Sequence, residues 1–184
     1  MFIEPTSIDG LYTIDPERHV DDRGYFARAW CVNELSDEGL AAGFVQGSIS
    51  YNTAANTLRG MHFQTEPWGE TKLIRCEAGA IYDVILDVRP DSDTYLQWEA
   101  FELDPVNGRQ LYVSAGLAHG FLTLVDDTVV GYQIDTFYQP GHATGVRWDD
   151  PAFGITWPEV AGEDGAALPL IMSDKDRSWP DHTA

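Results

Sequence analysis

The sequence predicts one all-β domain, a jelly roll or sandwich, on three observations. The 184 residues are 43% hydrophobic and 12% aromatic, enough for one sizeable core and too few for two, so residues 1–184 read as a single domain. Short runs rich in Val, Ile, Leu, Tyr and Phe recur between Gly, Pro, Asn and Asp. Helical periodicity is convincing in one place alone, and strands without alternating helices favour stacked or closed sheets.

In chain order, the helix is expected over residues 32–42, where Leu35 and Leu40 face a core and Gly43 ends it. An extended Leu58-Arg-Gly-Met-His-Phe-Gln64 puts Leu58, Gly60, His62 and Gln64 on one face and Arg59, Met61 and Phe63 on the other. Further strands are expected over 72–76, 80–88, 110–114, 120–125 and 129–135. Alternation sets Lys72 beside Ile74 and Cys76, and Tyr132 beside Val130 and Ile134. From Pro151 onward, Pro, Gly and Trp dominate with little periodicity, which suits loops wrapped around the sheets.

Charge narrows the partners. A formal net charge of -19 repels phosphate backbones and anionic headgroups, so neither a nucleic acid nor a membrane is expected as partner. The start, Met1-Phe-Ile-Glu-Pro-Thr-Ser7, has no basic region followed by an apolar stretch, and a cytoplasmic location is expected. Cys31 and Cys76 fit no metal or redox spacing and read as reduced thiols. Of 11 basic residues, the lysines are Lys72 and Lys175.

A lysine on an apolar strand face is costly unless paired or functional, which singles out Lys72. On the residues alone it could equally be an edge lysine reaching solvent. His62 and Tyr132 could be satisfied core residues, and His119, beside Gly120, could cap a turn. One small barrel offers one mouth, however, and inward polar residues on different strands converge there.

Asp22-Arg-Gly-Tyr-Phe26, Leu58-Arg-Gly-Met-His-Phe-Gln64, Lys72-Leu73, Ala118-His-Gly-Phe121, Tyr138-Gln-Pro140, Trp148-Asp-Asp-Pro151, Trp157-Pro158 and Ser173-Asp-Lys-Asp176 follow one another along nearly the whole chain. In this set and order the chain resembles dTDP-4-dehydrorhamnose 3,5-epimerases. The resemblance implies a cupin-type jelly-roll barrel with short helices and loops at its N- and C-terminal ends. It implies His62 as base, oriented by Asp176, Tyr132 as proton donor from the opposite face, and Lys72 facing the C4 oxygen of a nucleotide-linked 4-keto-6-deoxy sugar. Arg59, His119 and Lys175 would hold sugar and diphosphate, Gln46 and Tyr138 would join the substrate contacts, and Arg23 would come from the partner subunit of a homodimer. No cofactor and no metal are implied.

Three positions depart from the family's pattern. Arg28 stands where Glu is usual, Ser48 where Asn is usual, and Ala143 where another Glu is common, all at positions of substrate recognition. Two rival readings differ in class. A metal-dependent cupin would use His62, Glu70 and His119, but Gln64 takes the place of the second histidine of the usual His-x-His pair and is a poor ligand for Fe or Zn. A non-catalytic sugar-binding barrel would have no use for His62, Lys72, Tyr132 and Asp176 together.

Overall fold

The computed structural model describes residues 1–182, which form thirteen strands and two short helices. In order these are β1 (Phe2–Pro5), β2 (Leu11–Asp15), β3 (His19–Asp21), β4 (Gly24–Phe26), α1 (Val32–Asp37), β5 (Gln46–Asn52), β6 (Leu58–Gln64), β7 (Lys72–Ala78), β8 (Ile81–Asp87), β9 (Trp98–Leu103), β10 (Gln110–Val113), β11 (Leu117–Thr123), β12 (Thr128–Ile134), β13 (Ala143–Gly145) and α2 (Asp174–Arg177). One sheet runs β1-β2-β10-β7-β12-β5 and a second runs β13-β6-β11-β8-β9, while β3 and β4 form a separate hairpin. The fold is all-β, as expected.

Alternation along the strands puts one set of side chains between the two large sheets. Ile74, Cys76, Leu111, Val113 and Val130 from the six-stranded sheet meet Ile81, Ile85, Leu103, Leu117 and Phe121 from the five-stranded sheet in one buried cluster. No ladder among the described residues joins the sheets, so the expected barrel is an open jelly-roll sandwich. The outer face of the five-stranded sheet buries Met61, Val84, Leu86 and Ala118 under Phe153, Ile155 and Trp157 of the C-terminal loops. That wrapping is what the aperiodic stretch from Pro151 predicts.

The helix is shorter than its periodicity suggests. Leu35 and Leu40 are both buried against Ile14 and Leu73, but α1 ends at Asp37, and Gly39, with φ +75, turns the chain before Gly43 is reached. Expected strand ends are otherwise off by a few residues, most at β11, which begins at Leu117 rather than Gly120.

A larger correction falls on β6. His62 pairs with His119 of β11, but Arg59 pairs with Phe121, so two residues, Gly60 and Met61, oppose Gly120 alone. Arg59 therefore shares the inward face with His62 and Gln64, while Leu58 joins Met61 and Phe63 outside. The cause is local: Gly60 has φ +139, and a Cβ there would stand 2.5 Å from Gly120 Cα. Two glycines let the strands touch, and the extra residue flips the face of everything before it.

Candidate active site

The inward faces of both sheets carry polar side chains at one end of the sandwich. From the five-stranded sheet come Arg59 and His62 on β6, Asp83 on β8 and His119 on β11. From the six-stranded sheet come Lys72 and Tyr132. Cross-strand rows set Gln46 and Lys72 on either side of Ile134, and Ser48 and Ile74 on either side of Tyr132.

Three basic side chains each have a carboxylate partner. His62 Nε2 lies 2.6 Å from Asp176 Oδ1, with 41% of the imidazole side chain exposed and 6% of the aspartate. Asp176 is set by α2: the Ser173 hydroxyl caps the helix by accepting the Asp176 N–H at 3.1 Å, and the second carboxylate oxygen accepts the Gly60 N–H at 3.4 Å. Burial opposes ionisation of Asp176, but the hydrogen bond and charge of His62 outweigh it and hold the carboxyl below its ordinary value.

His119 Nε2 lies 2.9 Å from Asp83 Oδ1, with side-chain exposures of 6% and 0%. Here burial prevails, and it pushes the Asp83 carboxyl up even though His119 and Lys72 pull it down. The Lys72 ammonium is buried, which excludes the edge lysine reaching solvent, and lies 2.9 Å from Glu70 Oε1. Arg59 has a neutral partner, donating from Nε to Asn52 Oδ1 at 2.7 Å.

Tyr132 packs against the core cluster, and its ring centroid is 5.9 Å from that of His119 in an edge-on arrangement. Burial first, then the Asp83 carboxylate, raise its phenol well above the ordinary value, while Arg59 pulls the other way. The phenol therefore keeps its proton at neutral pH. An imidazole with an aspartate behind it and a protonated phenol on the facing sheet are suited to moving protons on two faces of one bound molecule.

Of the other expected site residues, Arg23 and Arg28 bond elsewhere within one chain, while Tyr138 and Lys175 lie exposed at the edge of this cluster. Arg23 sits in the β3–β4 hairpin, its side chain 89% exposed and paired with Asp21 at 2.5 Å. Arg28 is tied to Glu34 and lines a hollow of ≈ 400 Å³ with Arg75, Glu77 and Gln110, on the outer side of the six-stranded sheet. Tyr138 is exposed in the loop after β12. Lys175 lies exposed, its ammonium 5.3 Å above the Trp179 ring, which meets His62 edge-on at 6.5 Å.

Sequence reasoning missed Asp83, Asn52 and Trp179, and placed Glu70 solely as a metal ligand. Asp83 did leave a signal, since Ile81, Asp83 and Ile85 alternate on the inward face of a strand. Among the described residues no three His, Cys, Asp or Glu side chains gather in an arrangement that could hold a metal ion. No helix among them is long and apolar enough to cross a membrane.

Comparison with known proteins matches residues 5–183 to the family profile described as dTDP-4-dehydrorhamnose 3,5-epimerase. The chain belongs to that family. A dTDP-4-dehydrorhamnose 3,5-epimerase of Sinorhizobium fredii is 41% identical over 98% of this chain and 89% of its own length. Among solved epimerases, that of Bacillus anthracis, crystallised with TDP and PPi bound, superposes with a TM-score of 0.90 at 41% identity, covering 98% of this chain and 99% of that one. The epimerase of Legionella pneumophila, in complex with dTDP-4-keto-L-rhamnose, gives a TM-score of 0.85 at 30% identity over 100% and 99% of the two chains. The likeness to the dTDP-4-dehydrorhamnose 3,5-epimerases thus spans the whole domain, and it includes the cupin-like jelly roll itself.

Proposed function

We propose that this chain epimerises a nucleotide-diphosphate-linked 4-keto-6-deoxy sugar, with thymidine diphosphate as the nucleotide carried by its relatives. The observation that carries the reading is the opposition of two proton-handling groups across one interior: His62, backed by Asp176, on the five-stranded sheet, and Tyr132 on the six-stranded one. A ketone at C4 acidifies the hydrogens at C3 and C5. Removing one and returning a proton to the other face inverts the centre, and the carbon ends at its starting oxidation level, so no redox cofactor is required.

In this reading His62 takes the proton. Its Nε2 is engaged by Asp176, and Nδ1, which has no hydrogen-bond partner among the described residues, faces the work. Asp176 fixes the tautomer and stabilises the imidazolium. Tyr132 returns a proton from the other side. General acid–base catalysis contributes roughly 10²–10⁴-fold of the ~10⁶ or more that enzymes reach. The remainder falls to electrostatic stabilisation of the enolate oxygen, by Lys72. Arg59, His119 and Lys175 hold sugar and diphosphate; Gln46, Ser48 and Tyr138 line the nucleotide end.

Metal independence belongs to the same proposal, because the Glu70 carboxylate already carries the Lys72 ammonium and Gln64 is a poor ligand. So does a homodimer. Exposed Val20, Phe26 and Ile49, at 77%, 74% and 72%, suit a second copy, and the hairpin that carries Arg23 and Phe26 could then complete the partner's site. A cytoplasmic location follows from such a substrate.

The test is to incubate the protein in D₂O with a thymidine-diphosphate-linked 4-keto-6-deoxy sugar and follow C3 and C5 by NMR. Solvent deuterium with inverted configuration is the expected result. Binding without exchange would replace the reading by a non-catalytic sugar-nucleotide carrier.

A further inference from the structure

The Lys72 ammonium and the Glu70 carboxylate lie 2.9 Å apart with side-chain exposures of 9% and 13%, largely out of water. Glu70 is held at both oxygens. Its Oε1 takes Lys72, and its Oε2 accepts the Gln64 amide at 3.0 Å. Gln64 is fixed in turn, donating to the Trp68 carbonyl at 3.1 Å and accepting the Gln139 N–H at 3.1 Å. One clamp therefore ties the end of β6, the loop before β7 and the loop after β12 to a single carboxylate.

A lysine is a compact charge on a flexible stem. A second carboxyl, the fully buried Asp83 on β8, feels the Lys72 charge and already holds His119. Without a second anchor the ammonium would be drawn toward that pair. Glu70 engages one of its three N–H groups and leaves two for a ligand. Stabilisation of a developing oxyanion depends on donors placed before the reaction begins.

We propose that Glu70 is a positioning residue that aims Lys72, a role that rests on the epimerase reading above. The carboxylate that a metal cupin would spend on its ion is spent here on a built-in cation. Because the oxyanion develops on the way to the transition state, losing the anchor should lower kcat and leave KM nearly unchanged.

Two variants test this, Glu70→Ala and Glu70→Gln. The chain's lysines are Lys72 and Lys175, so ¹⁵N-lysine labelling yields two side-chain ammonium signals, assigned by Lys72→Arg. In the wild type the Lys72 signal should be sharp and protected from exchange with water, and in Glu70→Ala it should broaden away. The kcat for deuterium exchange should fall about tenfold to a hundredfold, less than the ~10²–10³ lost when an oxyanion donor itself is removed, with KM within about twofold. Glu70→Gln, which can still accept from Lys72 but not from Gln64, should fall between. An unchanged Lys72 signal, or a lowered melting temperature with kcat intact, would overturn the proposal. If the wild type itself exchanges no deuterium, the epimerase reading fails, and the ammonium signal in Glu70→Ala still decides whether Glu70 holds Lys72.

Discussion

Two histidine–aspartate pairs sit side by side on one ladder of this molecule, and they are built for opposite ends. His62 and His119 are cross-strand neighbours on β6 and β11. The first imidazole is 41% exposed, with its aspartate supplied by a helix near the C-terminus; the second is 6% exposed, with its aspartate supplied by the neighbouring strand. The two carboxyls move in opposite directions, Asp176 below its ordinary value and Asp83 above. An accessible imidazole backed by an ionised carboxylate can gain and lose a proton. A buried one locked between strands is better suited to hold a ligand than to cycle protons.

The largest expected effect separates the two histidines outright. His62→Ala should reduce product formation by at least the ~10²–10⁴ that acid–base catalysis supplies, whereas His119→Ala should act chiefly by raising KM. Steady-state kinetics on both variants checks this, and equal kcat losses would erase the distinction. Tyr132→Phe is expected to be milder: inversion slows, but deuterium still enters from the His62 side. Parallel loss of exchange and inversion would count against two opposed faces.

Stability should sort the aspartates in reverse order. Asp83→Ala leaves the buried His119 without its carboxyl partner and should cost about 1–3 kcal/mol, while Asp176→Ala, beside a partly exposed partner, should cost about 1 kcal/mol. Urea unfolding at neutral pH measures both.

The pH dependence carries a smaller signature of opposite sign. Asp176, with its folded value depressed, contributes stability above the unfolded carboxyl value of about 4 that is lost as pH falls through the folded value. Asp83, with its folded value raised, contributes stability below that unfolded value that is lost as pH rises through the folded one. The gap between wild type and Asp176→Asn should therefore narrow on acidification, and the gap to Asp83→Asn should widen. Unfolding curves between pH 3 and pH 7 reveal the signs. Chelation with EDTA should produce no change in turnover, and loss restored by a divalent ion would favour the metal-dependent rival.

The contrast between the pairs also shows what a sequence can disclose. Strand alternation aimed His62, Lys72 and Tyr132 inward but left each open to a plain structural reading; the roles given to them, and Asp176 as their companion, came from the family resemblance alone. Arg59 was aimed to the wrong face, since period-two counting has no means of seeing that Gly60 and Gly120 touch and admit an extra residue. Asp83 and Glu70 were missed as partners because pairing between β8 and β11, or between a loop and β7, is decided by tertiary register and not by spacing along the chain. Arg28, expected as a substrate contact, is tied within one chain to Glu34, which also binds the N-terminal ammonium at 2.6 Å, a partner that spacing along the chain does not disclose.

In the proposed epimerisation His62, and not its neighbour His119, acts as the base. Position-resolved deuterium incorporation tests it most directly: wild type, His62→Ala and His119→Ala are each held in D₂O with a saturating 4-keto-6-deoxy sugar nucleotide, and C3 and C5 are read by mass spectrometry and NMR. Label is expected from the wild type and from His119→Ala, and none at either carbon from His62→Ala. Label that persists in His62→Ala but vanishes in His119→Ala would contradict it and hand the chemistry to the buried pair.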